Sequence, residues 1–340
     1  MSALIARASV LLLVALLAGA ANAVVIETVP VGNPENAGEL SGRGAGGYGL
    51  DRICGSVGYT YNIGKYEVTT GQYTEFLNAV ARTDTYGLYN PIMWSNIFGC
   101  KIHRNGTSGS YTYSVTSDYA NRPVNYVSWG DAARFANWMH NGQPVGAQGP
   151  SSTEDGSYYL NGANTGEAFA AVMRTSDATW VIPSEDEWYK AAYHKNDGVA
   201  GDYWDYPTGT DAAPSNDLDG GENNATFRIG EDDYTLVAPY YRTEVGAHRN
   251  SASSYGTFDQ GGNIWEWNEA VLYDSARGLR GGSFSAYEHF LRASARNSSS
   301  PTVEYCHFGF RLVEVPEPTS IALLAMGGVG MLIRRRGLGR

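Results

Sequence analysis

Cysteine is nearly absent: three stand in 340 residues, at positions 54, 100 and 306. They allow one disulfide at most and leave one thiol over. The six histidines include no two that lie three or four apart, so no helical face offers paired metal ligands. Charged residues are scarce at 17%, against the ~25% of average soluble proteins. Cations are the scarcer sign, giving a net charge of −11, which excludes nucleic acid and anionic membrane surfaces as partners of the body. No apolar run reaches the ~20 residues of a spanning helix, and no internal repeat is visible. What is plentiful is glycine, tyrosine and tryptophan, at 42, 24 and 8 residues. Aromatics in that number rule out a disordered chain, and glycine in that number suits a loop-rich extracellular domain.

The two ends read as addresses. Arg7, an uncharged run over 8–21, and Ala21-Asn22-Ala23 have the order of a secretory signal, placed at 1–23. At the other end, Val315-Pro316-Glu317-Pro318 breaks regular structure. An uncharged run over 319–333 follows, then Arg334, Arg335 and Arg336. This tripartite tail, placed at 314–340, resembles the PEP-CTERM sorting signal. The resemblance implies an exosortase as partner, transient membrane anchoring by the tail helix, and export to the envelope or surface of a Gram-negative bacterium. An ordinary short C-terminal anchor is the other reading.

Between the ends, three helices are expected. Thr69 and Gln72 have capping-box spacing, and Tyr73, Phe76, Leu77 and Val80 follow on one face. Ser128 and Asp131 open a second helix with Ala132, Phe135, Ala136 and Met139 inside. Ser184 and Glu187 open a third, with Trp188, Ala191 and Ala192 inside. Region 24–58 is expected to hold strands at 24–28 and 58–61 joined by an irregular linker. Segments 141–165 and 196–222 are expected to be exposed loops.

Several segments carry a family resemblance in fixed order. They are Lys65-Tyr66-Glu67-Val68-Thr69, the run from Ile182 to Trp188, Gly261-Gly262-Asn263-Ile264-Trp265-Glu266-Trp267, Arg280-Gly281-Gly282-Ser283, and Gly309-Phe310-Arg311. Together they resemble the formylglycine-generating, or sulfatase-modifying-factor, family. The resemblance implies a single α+β domain over 59–313, loop-rich, with a small antiparallel sheet, related to C-type lectin-like domains. In active members a cysteine pair after Arg-Gly-Gly-Ser binds copper. Here Ala286 and Leu291 occupy those two places, so copper-dependent formylglycine generation is not expected. Iron is not expected either, because related sulfoxide synthases take iron ligands from an additional His-rich helical domain.

The same resemblance implies structural calcium. Glu266 would supply a side-chain ligand, with carbonyls of Gly261, Gly262 and Ile264. A second set would be Asn224, Ala225, Asp232 and Tyr234, the second and fourth through carbonyls. The alternative for Glu266 is an ion pair with an arginine such as Arg280. Cys54 and Cys100 are the candidate disulfide, which leaves Cys306 as a buried thiol. Of Trp265 and Trp267, one is expected as a core anchor and one half-buried. Ser184, Ser283 and Ser285 have no identifiable His–Asp companions, so a serine hydrolase is not supported.

The function expected first is a non-catalytic, surface-sorted binding or structural protein. Its partner would be a polypeptide or an extracellular glycan, met by loops beside 282–304. The variable proteins of diversity-generating retroelements use a similar scaffold for binding. An enzyme with unassigned metal ligands, and a decayed structural domain, are the alternatives.

Overall fold

Backbone donors at helix starts need local partners, and side chains supply them at the three expected places. Thr69 Oγ1 accepts from Gln72 N at 3.2 Å, and Gln72 Oε1 accepts from Thr69 N at 2.8 Å, opening the helix Thr70–Val80. Ser128 and Asp131 make the same box before Trp129–His140, and Ser184 and Glu187 before Glu185–Tyr193. Each cap contributes roughly 1 kcal/mol. The computed structural model describes residues 23–218 and 220–316. The expected signal peptide, up to residue 22, and the tail from 317 lie outside the described residues. Among the described residues, no helix is long and apolar enough to cross a membrane.

The first two helices bury aromatic rings against each other and against the C-terminal strand region. Phe135 meets Phe76 at 5.2 Å and Phe310 at 5.4 Å, both edge-on, the arrangement that ring quadrupoles favour. Two four-stranded sheets flank this core. One runs in the order Thr28–Val31, Tyr61–Gly64, Val313–Glu314, Trp180–Val181, all antiparallel. It closes the fold, since its strands come from both ends of the body. The other runs Asn297–Ser299, Ala276–Arg280, Trp265–Leu272, Phe308–Gly309, with only the last pairing parallel. The result is the expected α+β architecture with small sheets.

Three local expectations are corrected. The early strands lie about three residues later than 24–28 and 58–61, because Val31, Tyr61 and Ile63 are the side chains that reach the core. Region 24–58 also carries the hairpin Glu39–Ser41 with Arg52–Cys54. Loop 141–165 turns inward in its middle: Thr153, Glu154 and Tyr158 are buried, and Glu154 Oε1 accepts from Arg134 Nε at 2.7 Å. That ion pair joins the loop to the helix Trp129–His140, a link between separated segments that local sequence does not reveal.

Candidate functional site

The hairpin Trp265–Leu272 with Ala276–Arg280 ends at two glycines in the left-handed region, Gly281 (φ 95°) and Gly282 (φ 78°). A Cβ on Gly281 would stand 2.5 Å from Gln260 O, and one on Gly282 2.7 Å from Leu291 Cδ1. The turn lays Ser283-Phe284-Ser285-Ala286 beside Asn263, whose carbonyl accepts from Phe284 N at 2.9 Å. Ala286 is buried there, and Leu291 packs fully buried in a cluster with Tyr206, Ala225 and Phe227. The two positions expected from the resemblance to match the family's thiolates are thus buried among hydrocarbon.

Glu266 is completely buried, and its carboxylate accepts from three nitrogen donors. Arg311 approaches side-on, Nε to Oε2 at 2.6 Å and Nη2 to Oε1 at 2.7 Å, and Trp188 Nε1 donates to Oε2 at 2.7 Å. Arg311 is thus the partner seen on this carboxylate, while Glu67 beside it is buried with neither carboxylate oxygen hydrogen-bonded. The ion-pair alternative describes the site, with Arg311 in the place expected of Arg280. Arg280 instead meets Glu185, Nε to Oε1 at 2.9 Å. The second set is different. Asn224 pairs across to Ser215, Tyr234 across to Arg228, and Asp232 is exposed. Among the described residues no guanidinium is bonded to Asp232, and Ala225 O accepts from Thr235 Oγ1.

The three cysteines are free. The expected Cys54–Cys100 bond does not form because the residues belong to different clusters. Cys54 packs with Trp188, Tyr189 and Tyr193, and its sulfur accepts from Arg280 Nη2 at 3.3 Å; Cys100 lies in the main core. Burial pushes the Cys54 thiol up to about 11. Trp265 and Trp267 are both buried, and Trp267 Nε1 donates to Val127 O at 3.0 Å, so neither ring offers a sugar-stacking face. His140 Nδ1 lies 2.9 Å from Thr179 Oγ1. His194 is buried at the end of its helix, with Nε2 3.0 Å from Ala200 O.

One polar cluster emerges that spacing did not announce. Ser285 Oγ lies 3.3 Å from His307 Nδ1, and Cys306 Sγ lies 3.6 Å from the same nitrogen. Behind them Asn125 Nδ2 donates to the carbonyls of Cys306 and Phe98. Phe98 O also accepts from Arg242 Nη1. Phe98, Tyr241 and Phe284 form the rim, with centroids 4.6, 5.7 and 6.1 Å apart. Ser285 therefore has a histidine companion, but a distance of 22 residues gave no signal for it. Burial pushes His307 down to about 4 and Cys306 up. Both are neutral at pH 7, so no thiolate–imidazolium pair forms, and the imidazole is a weak base. Arg242 was missed altogether, because what marks it is its surroundings.

A family model for the sulfatase-modifying factor enzyme 1-like domain matches residues 56–315, and one for the PEP-CTERM protein-sorting motif matches residues 314–336. The formylglycine-generating enzyme of Thermomonospora curvata is 26% identical over 229 residues, 60% of this chain and 59% of that protein. The chain thus spans less than two thirds of that relative. Its structure is similar to that of CarF, with a TM-score of 0.50 and 18% identity over 86% of this chain and 99% of that one. It is also similar to Treponema denticola variable protein 1, with a TM-score of 0.51 and 18% identity over 85% of this chain and 95% of that one. These likenesses show the fold.

Proposed function

The chain belongs to the sulfatase-modifying factor enzyme 1-like family and ends in a PEP-CTERM sorting motif, and from that premise we propose that it is a non-catalytic binding protein of the cell envelope. The motif indicates exosortase-dependent export to the envelope of a Gram-negative bacterium. Loss of catalysis is supported above all by Ala286 and Leu291, which the resemblance sets at the positions where copper-binding members carry sulfur, and which are both buried hydrocarbon. Soft thiolates are what hold copper in its reduced state. The neutral Cys306 beside His307 is no substitute for a pair of them.

The binding face is the surface over Ser285, His307, Phe98 and Tyr241, beside segment 282–304, and its partner is a polypeptide. The Treponema variable protein lends only its fold to this reading, since fold alone does not carry function. Calcium, if held, belongs to Asn224, Ala225, Asp232 and Tyr234, where it would brace the loop as a hard oxygen-bound cation. Two measurements test the proposal on the purified full-length chain. Equilibrium dialysis against copper(I) is expected to leave no stoichiometric metal on the protein, and one tightly held copper per chain contradicts it. A chelator is expected to lower the Tm of the wild type and to leave that of Asp232→Asn unchanged.

A further inference from the structure

Seven arginines are buried among the described residues: Arg122, Arg134, Arg242, Arg277, Arg280, Arg296 and Arg311. A buried guanidinium needs an anion or a full set of acceptors. Four of the seven have a carboxylate. Arg134 reaches Glu154, Arg280 and Arg296 share Glu185, and Arg311 holds Glu266. Two more are held otherwise. Arg277 leaves only its Nε without a partner: it donates to the carbonyls of Glu269, Phe169 and Val172 and lies 4.0 Å over the Trp129 ring. Arg122 donates to the carbonyls of Asp118 and Arg242 and lies 4.0 Å over the Tyr240 ring.

Arg242 is the exception. It is completely buried, yet its one side-chain partner is Phe98 O, and its Nε and Nη2 have none. Those two nitrogens form one edge of the guanidinium. That edge takes a carboxylate two-pronged elsewhere in this chain, from Glu154, Glu185 and Glu266. Two buried amides next to it are also incompletely partnered. Asn125, which shares Phe98 O with Arg242, has an unpartnered Oδ1, and Asn263, whose Oδ1 accepts from Thr243 N, has an unpartnered Nδ2. The cover over this group is thin, because Phe98, Tyr241 and Cys306 are only half-buried.

We propose that the Nε/Nη2 edge of Arg242 receives a carboxylate of a polypeptide ligand, with Asn125 Oδ1 and Asn263 Nδ2 taking up the adjoining peptide N–H and C=O. A guanidinium fork matches a planar carboxylate in shape and charge. One acceptor and one donor beside it match an amide, which favours a peptide over an acidic sugar. The inference deepens the binding role proposed above and rests on that reading.

The test is thermal unfolding of the purified full-length chain at constant ionic strength, with chloride replaced by acetate. Acetate is expected to raise the Tm in a saturable way, as a ligand bound only to the folded state does. N-acetyl-alanylalanine is expected to act at concentrations about tenfold lower, through its added amide contacts. Its C-terminal amide and glucuronate are expected to be no better than chloride and acetate respectively. Arg242→Met is expected to abolish the response without lowering the Tm in chloride, since it removes an unpaired buried charge. Arg242→Lys, which keeps the charge but not the fork, is expected to lose the preference for carboxylate over chloride. No acetate response in the wild type, an equal response in Arg242→Met, or tighter binding of glucuronate than of the peptide overturns the inference. Copper binding decides the non-catalytic reading separately: silence toward acetate with no copper bound sinks the carboxylate site alone.

Discussion

Glu185 takes the guanidinium of Arg296 two-pronged, Nε to Oε1 and Nη2 to Oε2, both at 2.7 Å. Arg280 and Arg52 reach the same carboxylate, so one side chain at a helix start gathers three arginines from distant segments. Burial alone would raise its pKa, but Arg280, Arg296 and Arg52 overcome this and hold it at about 2.

Glu185→Ala would leave two buried guanidiniums without their anion. Breaking a buried pair from one side costs roughly 3–5 kcal/mol, and urea unfolding is expected to show a loss of that order. The folded pKa lies below the unfolded one, so the carboxylate's contribution is complete above about pH 4.5 and falls away as the pH drops toward 2. Unfolding midpoints between those limits check it.

Glu304 behaves in the opposite sense. Burial, and then Asp131 and Asp84, push it up to about 8, although Asn90 donates to it. A raised folded pKa gives a contribution that is complete below the unfolded value near 4.5 and is lost as the pH rises through 8. Stability is therefore expected to decline from pH 5 to 8, by at most about 1.4 kcal/mol per pH unit from this group. Glu304→Gln is expected to flatten that decline; an unchanged slope in the variant contradicts the assignment.

Much of this architecture is legible in the sequence, because capping boxes and helical faces are written within a few residues. Ser128 with Asp131 and Tyr73 with Phe76 needed no tertiary knowledge. The order of the family segments carried the fold class. What could not be read depends on chain segments meeting. Glu266 finds Arg311 across 45 residues, whereas neighbouring motifs pointed to Arg280. The state of Arg242 is set by residues near positions 98, 125 and 263, none of which has a spacing that marks it. Cys54 and Cys100 looked pairable only because sequence does not report which cluster each joins.

Ser128→Ala removes an N-cap that is buried together with its partner Asp131. The expected loss is about 1–2 kcal/mol, read by thermal unfolding, while Ser128→Thr is expected to keep most of the stability.

Gly281→Ala combines a left-handed backbone with a Cβ pressed against Gln260 O. Backbone strain of this kind costs on the order of 1–3 kcal/mol, and the loss is expected to exceed that of Gly46→Ala. Gly46 is also left-handed (φ 76°), but its Cβ would meet nothing within 4 Å.

The proposed binding role requires that this scaffold has given up its chemistry. The direct measurement is oxygen uptake by the purified full-length chain supplied with copper(I), a reductant and a cysteine-containing peptide, followed by mass analysis of that peptide. The expected result is uptake no faster than with free copper and a peptide cysteine left intact. Stoichiometric conversion of the cysteine to an aldehyde, dependent on the protein, contradicts the account.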